Sequence, residues 1–216
     1  DYYASRGLGD VYKRQALFCC HNASFAQKEF VNTSVRLSGH PRILLQKGEE
    51  KALKKVIMKD AVWKDIHLSL VDEAGEIVKL PLNERIKTGR RLLSVSRENL
   101  RRIFILSYAY RMTGKSEFLK RAESEMLKAA SFSDWNPSHF LDVGEMTMAL
   151  AIGYDWLYPQ LSVQTKREIE NAIVEKGLKP SFDERYNWFV NAVHNWSQVC
   201  PVSYTHLRAH ETRSNL

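Results

Sequence analysis

Apolar positions between residues 40 and 200 recur at three- and four-residue spacing, and that spacing predicts helices. After His40-Pro41-Arg42, extended ahead of its proline, Leu53, Val56, Ile57, Trp63 and Ile66 mark a helix over about 49–70. Gly75, Pro81 and Gly89 interrupt 72–93, which reads as a loop with short ordered pieces. The period resumes at Ser96, with Leu100, Ile103, Phe104 and Tyr110 inward, and Gly114 ends that helix. Leu119, Ala122, Met126 and Ala130 mark the next one, from near Ser116, until Pro137 breaks the chain. Leu141 to Tyr158 is a strongly apolar helix stopped by Pro159. Ser162 is a good N-cap for a helix carrying Ile169, Ala172 and Ile173, with Gly177 just past its end. Pro180 precedes a shorter helix around 183–189.

No alternation of period two persists in this stretch, so the expected class is all-α, built of antiparallel helical hairpins with short loops. A toroid, a solenoid and a bundle all satisfy the pattern. The hairpin over 96–131 looks like a tetratricopeptide unit, but it does not repeat at a period of 34, which argues against a regular solenoid.

The ends break the pattern. Residues 1–15 and 201–216 have no apolar period, and DVYKRQ and VSYTHLRAHET resemble translated sequencing-adapter DNA. Both ends are therefore expected to be non-native, and His206 and His210 are not offered as ligands. Residues 16–26 read as the tail of a signal peptide: an apolar run, Ala16–Cys20, then Ala23-Ser24-Phe25-Ala26 as a cleavage site. Export to a periplasm or beyond the cell is the expectation, and 27–200 is the expected domain.

Composition narrows the classes. With 216 residues, 44% of them hydrophobic, the chain can bury a core without disulfide or metal staples. Three cysteines without a CxxC spacing offer neither a disulfide framework nor a zinc finger. No apolar run reaches the length of a membrane span. The net charge of +7 is spread out, densest at Lys87–Arg91 and Arg97–Arg102. It reads as solvated helix faces or as a surface for an acidic partner; no nucleic-acid module accompanies it. No phosphate loop, HExxH or GxSxG is present. No cofactor and no metal site are expected in this segment.

Three clusters could bear chemistry. Asp142 and Glu145 lie three residues apart, on one face of an apolar helix. They could support a sugar site, or cap the helix start and anchor a loop there. Tyr154, Asp155 and Trp156 could stack on and bond a sugar ring, or form a buried helix end. His194, Asn195, Trp196 and Gln198 concentrate neutral donors beside aromatic surface, which suits a carboxylate ligand or a polar patch closing a loop. Cys200 reads as a buried structural thiol.

The stretches HPRILL (40–45), LDVGEMTMALAIGYDWLYPQLS (141–162) and HNWSQVC (194–200) resemble the N-terminal helical domain of heparinase II/III-type polysaccharide lyases. His194 stands where that family commonly has Asn, and its CNGG continuation is lost after Cys200. The resemblance implies an incomplete (α/α) toroid that lacks its C-terminal helices and the β-sandwich domain that follows. It implies a partner that is an acidic, uronic-acid-containing polysaccharide, heparin-like or alginate-like, cleaved by β-elimination. Asn195 would neutralise the uronate carboxylate as a catalytic group. His194, Trp196, Gln198, Tyr154, Asp155 and Glu145 would bind substrate. The Tyr and His that move the proton would lie beyond residue 200, leaving this segment inactive alone. A non-catalytic glycan-binding protein and a protein-binding helical scaffold remain the alternatives. The first would keep the surface of Tyr154, Trp156 and Asn195. The second would bury the polar residues and show no cleft.

Overall fold

In the computed structural model the described residues are 39–191, 193, 195–197 and 199–200. The adapter-like ends, the leader-like stretch 16–26, and the side chains of His194 and Gln198 lie outside them. All the described residues belong to the unit Ser38–Leu216.

Six α-helices follow in order: α1 (Glu50–Lys59), α2 (Ala61–Lys79), α3 (Leu93–Thr113), α4 (Ser116–Ala130), α5 (Phe140–Leu157) and α6 (Val163–Ala172). A π-helical turn, Ile173–Leu178, continues α6, and 3-10 turns follow at Lys179–Phe182 and Trp188–Asn191. There is no strand among the described residues, so the all-α expectation holds.

Helix α5 is the axis of the core. Phe140, Val143, Met146, Leu150, Ile152, Trp156 and Leu157 bury nearly every side of it, as expected of a helix apolar all round. It packs chiefly along α3, which also contacts α2 and α4. Gly153 permits the close approach. A Cβ there would stand 2.5 Å from Ile103 Cγ2 and 2.6 Å from Met126 Sδ.

Several boundaries differ from the sequence expectation, each for a local reason. The helix expected over 49–70 is two helices. Asp60 adopts an extended conformation and its carboxylate accepts from the Val62 and Trp63 backbone N–H groups at 2.9 and 3.2 Å, an N-cap that restarts the chain. Helix α2 then runs through Gly75 to Lys79, so the loop is only 80–92. Gly177 does not end its helix. It is buried inside the π-helical turn, where a Cβ would meet Thr147 Oγ1 at 2.6 Å and the Trp135 ring at 3.2 Å. Its role is close packing rather than a left-handed turn. The helix expected around 183–189 is absent: a turn in which the Asp183 carbonyl accepts from Tyr186 and Asn187 N–H separates the two 3-10 turns. Gly114, at φ 75°, and Ser162, accepting from Thr165 N–H at 3.0 Å, cap α3 and α6 as expected.

An ionic network no motif announces joins α2, α3 and α4. The fully buried Glu125 accepts from Arg102 Nη1 at 3.0 Å and Arg121 Nη2 at 2.7 Å. The same two arginines donate to the carbonyls of Val78, Leu80 and Pro81, where α2 has ended and its last carbonyls need partners. At the edge of this network Arg101, then Arg102, bond Glu98 at 2.7 and 2.6 Å. Arg101 foremost holds the Glu98 carboxyl at about 2, against an ordinary 4.5. The unfolded chain therefore takes up this proton first on acidification. The stabilising effect is complete above pH 4.5 and is lost as pH falls toward 2. Urea midpoints measured between pH 5 and 2 should fall less steeply in Glu98→Gln than in the parent; equal slopes would contradict the assignment.

Candidate functional site

The segment entering α5 builds the most functional-looking surface. Asp142, fully buried in the first turn of α5, accepts three hydrogen bonds: from the Leu92 backbone N–H at 2.6 Å, Asn136 Nδ2 at 2.7 Å and His139 Nδ1 at 2.7 Å. Asn136 Nδ2 also donates to the Arg90 carbonyl at 2.9 Å. Residues 88–91 form a tight turn, with Thr88 and Arg91 exchanging backbone bonds of 2.9 and 3.2 Å across Gly89, whose φ of 60° favours glycine. One carboxylate thus ties the end of that turn to the start of α5.

Between the turn and the helix start lies a cavity of about 250 Å³, lined by Arg90, Arg91, Ser138 and His139. The Trp196 ring meets His139 edge-on at 5.0 Å, and Trp188 lies 5.1 Å from Trp196. Trp196 thus brings the HNWSQVC stretch against one wall residue of the cavity, His139. The Asp142 carboxylate engages His139 Nδ1, which leaves Nε2 as the ring nitrogen not used by that bond.

The other expected site residues divide. Asn195 is exposed, and its carbonyl accepts from Val199 N–H at 2.9 Å, a helical turn. Trp196 is half-buried. Glu145 shares the Asp142 face as expected. Burial raises its pKa against the pull of Arg97, whose Nε lies 3.1 Å away. Asp142 itself does the anchoring expected of an acidic group at a helix start. Cys200 is fully buried, and burial pushes its thiol up to about 12, which leaves it un-ionised and inert.

Tyr154 and Asp155, expected to bind substrate, are buried and bonded within the chain. Asp155 is fully buried and accepts from the backbone N–H groups of Arg42 and Ile43, both at 2.9 Å, and from His40 Nδ1 at 2.6 Å. Trp156 Nε1 donates to the Ile43 carbonyl at 2.8 Å, and the His40 ring stacks on Tyr158 at 4.1 Å. These groups dock the HPRILL segment onto the end of α5. Tyr154 is buried as well, its hydroxyl donating to Glu170; burial, then that carboxylate, raise its pKa. A carboxylate saturated by chain donors has no capacity left for a sugar.

Sequence reasoning missed Arg90, Arg91, Ser138 and His139 as cavity walls. The arginines belonged to a basic stretch that looked like solvated surface. The available signal was His139 three residues before Asp142 at a helix start, the spacing at which a cap and a third-position carboxylate meet.

Among the described residues no group of three or more His, Cys, Asp or Glu could hold a metal ion, and no helix is long and apolar enough to cross a membrane. Compared with known proteins, the chain matches no family model and no curated protein.

Proposed function

We propose that this chain is the N-terminal helical part of an exported lyase that cleaves uronic-acid-containing polysaccharides by β-elimination, its hairpins forming the first part of an incomplete (α/α) toroid. The observation that carries the reading is the basic cavity between the 88–91 turn and the start of α5, with Trp196 against its His139 wall. Two arginines line it, and Trp196, the chain neighbour of exposed Asn195, meets its His139 wall; cations and an aromatic ring are groups that can hold an acidic sugar chain.

The chemical difficulty of the reaction is removing a proton next to an ionised carboxylate. Neutral donors such as the Asn195 amide stabilise the enolate-like charge as it develops, without forming a permanent ion pair in the ground state. Proton transfer falls to a Tyr and a His in the rest of the lyase, so the chain by itself binds without cleaving. The burial of Tyr154 and Asp155 is what a protein-binding scaffold would also display; a basic cavity is what it would lack.

The test is a titration of the chain with heparin-derived and mannuronate oligosaccharides, followed by tryptophan emission and by unsaturated-uronate absorbance. Saturable quenching without new absorbance is expected. No binding of either oligosaccharide would overturn the reading.

A further inference from the structure

The 250 Å³ cavity gains meaning from which arginines are already paired. Among the described residues, Arg42, Arg85, Arg97, Arg101, Arg102, Arg111, Arg121 and Arg185 each have a carboxylate within ion-pair distance. Arg90, Arg91 and Arg167 do not, and two of these three line the same cavity. Both are exposed, so neither cation is desolvated, and both stand on a turn pinned at its Arg90 carbonyl and at Leu92 N–H. The fourth wall is His139. With Nδ1–H directed to Asp142, its Nε2 is the polar atom of the ring left to bond a ligand. Asp142 is itself fully buried and occupied by three donors, so it sets the geometry of both walls without presenting its own oxygens to an anion.

We infer that this cavity is an oxyanion subsite. Arg90 and Arg91 bind one carboxylate or sulfate group of an acidic sugar, His139 Nε2 hydrogen-bonds a neighbouring hydroxyl, and Asp142 is the positioning residue for both. The inference deepens the proposed polysaccharide reading and takes its ligand class from it. The arrangement suits the task physically. Guanidinium groups bond planar or tetrahedral oxyanions with paired N–H donors, and these charge-assisted bonds are the strong ones. A hydroxyl-bonding imidazole beside them separates a sugar acid from a bare anion.

The experiment uses the full chain and three probes: a heparin-derived tetrasaccharide, a mannuronate tetrasaccharide and inorganic sulfate. Affinity is measured by calorimetry, and the His139 Nε2 resonance by nitrogen NMR. The parent is compared with Arg90→Ala, Arg91→Ala, the double variant, and Arg167→Ala, an exposed and unpaired arginine outside the cavity that controls for net charge. At least one tetrasaccharide is expected to bind the parent, with the His139 Nε2 signal shifting. The double variant should bind at least tenfold more weakly, and Arg167→Ala should bind like the parent. A preference for the sulfated or the unsulfated chain then identifies the oxyanion. A tetrasaccharide that binds the double variant as well as the parent would overturn the subsite and leave the polysaccharide reading standing. Sulfate binding that depends on Arg90 and Arg91, with neither tetrasaccharide bound, would keep the oxyanion site and overturn the polysaccharide reading. No probe bound by the parent would overturn both.

Discussion

Glu125→Ala should cost about 3–5 kcal/mol of folding stability, the range for removing one partner from a buried ion pair. The alanine deletes the acceptor of Arg102 and Arg121, both largely buried. Arg121 would then be held among the carbonyls of Val78, Leu80 and Pro81 with no carboxylate partner, and Arg102, bonded to Pro81, would keep only Glu98. The end of α2 would loosen with them, because those arginines close its last carbonyls. Glu125→Gln keeps the shape and one acceptor, and should lose less. Urea unfolding of the three proteins at neutral pH checks the order. A Glu125→Ala loss under about 1 kcal/mol would place the network among exposed ion pairs, which contribute little.

Asp142→Ala should be of similar size, about 3–5 kcal/mol, by a different route. It leaves three donors without their acceptor: the Leu92 N–H, the Asn136 amide and the His139 ring. Leu92 and Asn136 are almost wholly buried. Each abandoned buried donor costs about 1–3 kcal/mol, partly relieved by relaxation or entering water. The 88–92 turn and the start of α5 lose their common tie, so stability and oxyanion binding should fall together. A variant that is destabilised yet binds acidic oligosaccharide with parental affinity would show that Asp142 supports the core and not the cavity.

The helix content was legible because it depends on local periodicity. Gly114 and Ser162 act through their own neighbours, and both caps were readable. Asp60 was equally local, but the apolar spacing of Ile57, Trp63 and Ile66 continues across it and conceals the break. Gly75 and Gly177 show the limit of treating glycine as punctuation. Gly75 sits inside α2, and Gly177 is required by the Thr147 and Trp135 side chains that pack on it. A Cβ at Gly75 would meet nothing within 4 Å, so α2 merely tolerates that glycine, whereas Gly177 depends on tertiary packing that no window of sequence contains.

The candidate site divides along the same line. Asp142 and Glu145 share a face as the helical spacing requires, and Trp196 does approach a basic surface. Asp155 looked available because its partners, the backbone of Arg42 and Ile43, lie more than 100 residues away. Arg90 and Arg91 looked like ordinary surface because their value lies in what they lack, and a missing carboxylate is visible only once the other arginines are seen paired.

The most direct measurement is an amide NMR titration of the chain with a uronate-containing tetrasaccharide. The account predicts saturable shifts confined to residues 88–92, 138–142 and 195–197, the turn, the helix start and the Asn195–Trp196 approach. Shifts confined instead to the apolar surface of Met58, Val62, Trp63 and Ile66, or an unchanged spectrum at saturating ligand, would contradict it.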